Sequence, residues 1–353
     1  MNEPVIKGSF ASPEAIAQIM HQKFVMGAPL YRQEQDWNRQ GIMLSRQTMS
    51  NWLLKATEDW LEPIYDAFRE ILLNHKVLHA DETTLQVLRE PGKTAQSKSY
   101  MWLYRTSGDT KYPIVLYDYQ PDRRTKRPAE FLNGFEGYLH TDGYDAYHRL
   151  PKEIVVVGCF AHARRKWDEA LKIVSESDRD GKNVLRGKRY CDKLFEIERK
   201  LADLSPQERY EKRQELAKPV FDEFYAWLGA LDALPKTALG KAAHYMFSQR
   251  KYLERYLLDG RLEISNNRAE RSIKPFVIGR KNFLFANTPR GAKASAIMFS
   301  IIETAKENGL NPFKYLTYVF KNAPNWDVKN NIAGLEQLLP YAFSENRRRE
   351  LSG

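Results

Sequence analysis

Asp81, Asp142 and Glu270 are the residues of this sequence best suited to do chemistry together. Asp81 sits inside a polar–apolar alternation and Asp142 ends another. Glu270 stands in the run Ile264-Ser265-Asn266-Asn267-Arg268-Ala269-Glu270-Arg271-Ser272-Ile273-Lys274-Pro275. Carboxylates delivered by three separate elements suit Mg²⁺, a hard cation that takes oxygen ligands and keeps several waters. Two such ions, roughly 3.5–4 Å apart, stabilise both the attacking and the leaving oxygen of an in-line phosphoryl displacement. That chemistry needs no side-chain nucleophile, and the sequence has neither a nucleophile elbow nor a P-loop. The Glu270 run reads as a short helix with polar capping residues at its start and Pro275 ending or kinking it. Residues three and four apart share a helix face, so Asn266, Glu270 and Lys274 form a polar stripe and Ala269 and Ile273 an apolar one.

The elements that must position these groups follow from periodicity. Residues 12–72 read as helical, starting with Ser12 as cap and Pro13 in the first turn. A helix near 29–38, a turn at Gly41 and a Ser45-capped helix to about Lys55 make a helix-turn-helix pattern. On that reading Arg46, Gln47, Ser50 and Asn51 face a DNA major groove. A plain bundle built on Leu30, Trp37, Met49, Trp52 and Leu53 is the equally weighted alternative. From Lys76 the period changes to two. Strands are expected at 77–87, 100–104 and 112–118 as a meander, then at 137–142, and an apolar run at 154–159 reads as a buried parallel strand.

A short helix near 128–132 and a basic one at 161–167 complete this block. The fold class expected is α/β, a mixed five-stranded sheet flanked by helices. An all-helical insertion covers 171–258. It carries an amphipathic stripe at Tyr190, Leu194, Ile197, Leu201 and Leu204, a capping box at Ser205 and a helix begun by Pro235. After the Glu270 element come a basic, aromatic connector at 276–285 and a long helix at 291–308. The tail is expected to hold one short helix. The domain division is therefore 1–72, 73–170, 171–258, 259–310 and 311–353.

Bulk properties narrow the partners. The 353 residues carry 55 Lys+Arg against 45 Asp+Glu, a net charge of +10. That balance fits a nucleic-acid partner as well as it fits a merely basic protein. Two cysteines exclude a disulfide scaffold and suit a reducing cytoplasm. No apolar run approaches the roughly 18 residues of a membrane span, and the start lacks a charged-then-apolar leader. The expectation is a cytoplasmic, nucleoid-associated protein without membrane contact.

Rival carboxylates have plainer readings. Asp145 caps the turn after Gly143, Glu82 points away from Asp81's face, Glu263 is a solvated loop group and Asp118 a turn residue. Cys159 and His162 are two ligands where structural zinc wants four, so packing or a hydrogen bond is favoured. Arg164, Arg165 and Lys166, with Lys274, Arg280, Lys281, Arg290 and Lys293, are either solvated faces or phosphate contacts.

Several motifs occur in order: His79-Ala80-Asp81-Glu82-Thr83, His140-Thr141-Asp142-Gly143-Tyr144, Gly158-Cys159-Phe160-Ala161-His162-Ala163-Arg164-Arg165, Asn266-Asn267-Arg268-Ala269-Glu270-Arg271 and Arg280-Lys281-Asn282-Phe283-Leu284-Phe285. From about Val5 to Tyr341 the chain resembles bacterial insertion-sequence transposases of the sixty-six family. The resemblance implies a ribonuclease H-like core of the DDE type, with Asp81, Asp142 and Glu270 as the metal-binding triad. It implies Mg²⁺, with Mn²⁺ able to substitute, and a Cys-x-x-His motif at Cys159 and His162. The implied DNA contacts are Arg46, Gln47, Asn51, Arg164, Arg165, Lys166, Asn266, Lys274, Arg280 and Lys281. Asn266 is also expected to orient Glu270. The implied partners are element ends, target DNA, accessory proteins of the same element and further copies of the chain on DNA. The family's usual upstream coiled-coil and cysteine-rich region does not appear, so a shortened element or fragment is expected. A DNA-binding derivative that no longer cuts, and a ribonuclease H-like nuclease with another substrate, are the alternatives.

Overall fold

The computed structural model describes residues 3–175 and 177–353. The chain begins with helices α1 (Pro13–Phe24), α2 (Leu30–Arg39), α3 (Arg46–Ala56) and α4 (Glu62–Leu73). Strands β1 (Val77–Gln86), β2 (Lys98–Thr106) and β3 (Val115–Gln120) follow, then α5 (Lys126–Phe131), β4 (Gly137–His140) and β5 (Ile154–Val157). A helical block comprises α6 (Phe160–Leu171), α7 (Arg179–Lys200), α8 (Pro206–Lys212), α9 (Lys218–Gly229) and α10 (Ala238–Leu253). The chain closes with α11 (Asn267–Phe283), α12 (Pro289–Glu307), α13 (Pro312–Asn322), α14 (Ile332–Glu336) and α15 (Glu345–Leu351).

The five strands form one sheet in the order β3-β2-β1-β4-β5. β2 and β3 pair antiparallel, while β4 runs parallel to both β1 and β5. The expected mixed α/β sheet is present. Contacts divide the chain into two units, one of Met1–His75, Asp81–Arg127 and Ala269–Gly353, the other of Lys76–Ala80 and Pro128–Arg268.

In the first unit α12 packs along β3. The Ser300 hydroxyl accepts the Tyr117 N–H at 2.7 Å and the Thr304 hydroxyl accepts that of Val115 at 3.0 Å. These bonds satisfy donors that an edge strand otherwise exposes. Local capping chemistry holds as expected at the amino-terminal helices: the Ser12 hydroxyl accepts from Ala15 N–H and that of Ser45 from Thr48 N–H. Met49, Trp52 and Leu53 of α3 are buried, whereas Leu30 and Trp37 are only half-buried.

The second unit wraps α6–α10 around β4, β5 and the start of β1. Its core gathers Val157, Phe160, Trp167, Phe221, Phe224, Met246 and Tyr256. Complete burial of a side chain such as Phe160 contributes about 1.5–3 kcal/mol. The Ser205 capping box forms in full.

Several boundaries differ from the sequence expectation. Pro275 lies inside α11, which runs on to Phe283 and absorbs most of the expected connector. Fully buried Phe276, edge-on to Phe299 with centroids 5.4 Å apart, anchors the continuing helix. The Tyr117 hydroxyl donates to the Ser272 carbonyl, in the turn that the proline ring disturbs. The helix expected at Pro235 begins at Ala238, where the Thr237 hydroxyl caps it. β3 starts at Val115, beyond Pro113, which has no N–H for a ladder. The tail holds three α-helices rather than one. Its arginine-rich end is helical because Ser344 caps it and Leu351 is buried. No helix among the described residues is long and apolar enough to cross a membrane.

Candidate active site

The sequence contains the same triplet twice, His-x-Asp at 79–81 and at 140–142. The parallel pairing of β1 and β4 sets His79 opposite His140. Their rings stack with centroids 4.5 Å apart and planes 12° from parallel, and both are fully buried. Side chains two apart on a strand share a face, so Asp81 and Asp142 each follow the stacked pair on their own chain segment.

Asp81 lies in β1, half-buried, with Oδ1 accepting the Glu82 N–H at 2.8 Å. Asp142 follows β4, half-buried, with Oδ1 accepting the Tyr144 N–H at 2.9 Å. The turn bond expected of Asp145 is thus made by Asp142, and Asp145 instead pairs with Arg149 at the surface. Gly143 makes that turn possible with φ +93°, a region costly for residues with a Cβ. Glu270 occupies the first turn of α11, half-buried. Asp81 and Glu270 belong to the first unit and Asp142 to the second.

Asn266 corrects the stripe expected of its helix. It precedes α11 and is fully buried, with no surface to offer DNA. Its Oδ1 accepts the His79 Nδ1–H at 2.9 Å and its Nδ2 donates to the Ala80 carbonyl at 2.8 Å. Its backbone N–H donates to the Cys159 Sγ at 3.1 Å. The residue is a strut joining the entry of Glu270's helix to the backbone just before Asp81. Cys159, buried at the start of α6, serves as a hydrogen-bond acceptor here. His162 lies in the first turn of the same helix.

Glu263 is also not the solvated group expected. Its backbone N–H donates to His140 Nε2 at 3.2 Å, its Oε1 accepts from Arg268 at 2.7 Å, and the same oxygen lies 3.7 Å from His79 Nε2. Accepting at Nε2 keeps His140 neutral. Burial first, then its neighbour His79, holds it well below the usual histidine range.

Two residues of α10 were not singled out by the sequence. A methyl on Gly143 would stand 3.0 Å from Gln249 Oε1 and 3.5 Å from the Tyr245 hydroxyl. Burial, then proximity to Cys159 and Asp142, pushes the Tyr245 phenol up. The helical insertion therefore supplies a wall beside Asp142. The available signal was the helical spacing of Tyr245, Gln249 and Tyr252.

The remaining cations vary in setting. Arg46, Gln47 and Asn51 are exposed on α3, with Gln47 bonded to Asn51 at 3.0 Å. Lys274 and Lys281 are exposed on α11. Arg280 is half-buried and donates to the Thr84 carbonyl, a tie between α11 and β1. Lys166 pairs with Glu169 at 3.1 Å, and Arg290 and Lys293 pair with Glu58 and Glu62. Glu82 is held by Arg123, and Asp118 lies within β3 rather than in a turn.

The family model described as Transposase IS66 family matches residues 8–294, and the one described as IS66 C-terminal element matches residues 300–341. Among curated proteins, the uncharacterized protein y4hP of Sinorhizobium fredii is 33% identical over 350 residues, covering 95% of this chain and 62% of its own length. The uncharacterized y4qI of the same organism is 32% identical over 358 residues, covering 96% and 64%. A third, y4jD, is 30% identical over 354 residues, covering 96% and 68%. The chain thus spans less than two thirds of the length of the first two. It belongs to the IS66 transposase family.

Proposed function

We propose that this chain is a DDE-type DNA transposase that hydrolyses phosphodiesters at element ends and joins the freed 3′-hydroxyl to target DNA. The duplicated His-x-Asp triplet, paired in register at His79 and His140, carries this reading. Asp81 and Asp142 follow the stacked rings by two residues each. Glu270 follows Asn266 by four, and Asn266 is bonded to Ala80, the residue before Asp81.

Three carboxylates as a ligand set suit Mg²⁺ or Mn²⁺, hard cations that take oxygen donors. When bound, paired divalent ions supply charge stabilisation to both the attacking and leaving oxygens. The carboxylates of Asp81, Asp142 and Glu270 would hold that charge in place. His79, His140 and Asn266 fix the backbone that presents them. Lys274, on Glu270's helix face one turn on, offers an exposed ammonium to a DNA phosphate. Arg46, Gln47 and Asn51 on α3 contact the end duplex, with Arg165, Lys166 and Lys281 on its backbone. Oligomerisation on DNA and accessory proteins of the same element belong to this reading.

The test is nicking of a labelled element-end duplex with Mg²⁺ by Asp81→Asn, Asp142→Asn and Glu270→Gln. Each variant should still retard the duplex while losing nearly all nicking. A single one that nicks at close to the wild-type rate removes the triad. Wild-type protein that retards but never nicks points instead to a DNA-binding derivative.

A further inference from the structure

Between α6 and α7 the second unit holds a cleft of about 670 Å³. Arg164, on one wall, is bonded to Asp168 at 3.2 Å and to Asp192, and Lys188 reaches Asp192 at 2.6 Å. The two acids are thereby balanced by two bases. Arg199, which is exposed, adds positive charge to the lining.

Phe195 and Arg199 are four residues apart on α7 and so share a face. Phe195 is half-buried and lines the cleft. The neighbouring acids of that helix are already engaged, Glu196 by Lys200 and Glu198 by Arg213. No carboxylate lies in ion-pair range of Arg199 among the described residues. The cleft has room for a nucleotide. A cationic groove with an aromatic ring beside it is the equipment that binds single strands, because every base has a face to stack whatever its identity.

We infer that the α6–α7 cleft of the helical insertion binds an unpaired nucleic-acid strand, with Arg199 on its phosphates and the Phe195 ring against a base. The inference rests on the transposase reading only for the source of that strand, a DNA terminus.

The experiment is fluorescence anisotropy of the full chain with a labelled oligothymidine of about ten nucleotides, without metal. Arg199→Glu and Phe195→Ala should each weaken binding about tenfold, and Phe195→Trp should bind within about twofold of wild type by keeping the stack. Arg199→Gln should lower the slope of log affinity against log salt by about 0.7, one phosphate contact on a single strand. Affinity for an end duplex should change little in all four variants. Unchanged oligonucleotide binding in Arg199→Glu and Phe195→Ala overturns the inference, as does equal weakening of duplex and single strand. Displacement of the oligonucleotide by a polyglutamate peptide that loses affinity only in Arg199→Glu would overturn it in favour of an acidic protein partner. Binding is read here without cleavage, so its failure leaves the nicking test of Asp81, Asp142 and Glu270 standing, and the reverse also holds.

Discussion

His79 and His140, from neighbouring parallel strands, stack face to face at 4.5 Å in the buried interior of one unit. The stack is held at both edges, His79 by Asn266 and His140 by the backbone of Glu263. Replacing His79 with Ala strands the Asn266 carbonyl oxygen and opens a cavity, so about 2–4 kcal/mol of stability should be lost. Urea unfolding should also show His79→Ala and Asn266→Ala to be non-additive, because the two share a bond. Additive losses would mean that the bond does not couple the strand to the helix entry.

Arg213 should tolerate no substitution, including lysine. It is fully buried, pairs with both oxygens of Glu198 and donates to the carbonyls of Tyr256, Asp259 and Leu262. Lysine keeps the charge but has three donors on a point, not a planar fork. Arg213→Lys should therefore cost about 2–4 kcal/mol, close to the cost of Arg213→Ala. A loss below about 1 kcal/mol in thermal or urea melts would show that the fork's geometry is dispensable.

Acid should weaken the fold earlier than carboxylate titration would. Burial is the leading cause that lowers His21, His75, His140 and His148. Their unfolded forms take up protons near pH 6.5 while the folded forms lag, so the unfolded state binds more protons as pH falls. Stability is then full above about pH 7 and declines below it, by at most about 1.4 kcal/mol per pH unit for each histidine. Urea midpoints measured from pH 8 to 5.5 test this. His148→Phe, which keeps a ring against Tyr252, should reduce the slope.

The amino-terminal helices should carry end recognition separately from chemistry. Arg46→Ala should weaken binding to an end duplex and lower its salt slope by about 0.9, the loss of one phosphate contact, or spare the slope and relax specificity if it reads a base. Binding titrations at several salt concentrations decide between them. Unaltered affinity and specificity in both Arg46→Ala and Asn51→Ala would leave these helices as a plain bundle.

What was legible in the sequence is what depends on neighbours along the chain. The caps at Ser12, Ser45 and Ser205 form as their local chemistry dictates, and the changes of period mark the strands and the helical insertion. Pro275 misleads because the packing of Phe276 outweighs a local break. Glu263 misleads for a related reason: its burial is set by His79 and His140, which are remote in sequence. Arg213 carries no local signal, since three of its acceptors are main-chain carbonyls of a segment distant in sequence, at Tyr256, Asp259 and Leu262. Asp81, Asp142 and Glu270 stood out by residue type, whereas the histidine stack behind two of them became visible only with strand register.

β1 has one further consequence. Its first residues pair with β4 while belonging by contact to the second unit, although they are separated in sequence from the rest of it. A fragment cut at 128–268 would therefore leave β4 with one neighbour and turn an interior strand into an open edge. Such an edge invites pairing between molecules. The helical insertion and its two strands do not form an excisable module; they complete their sheet only with a short segment supplied from the far side of a long stretch of chain.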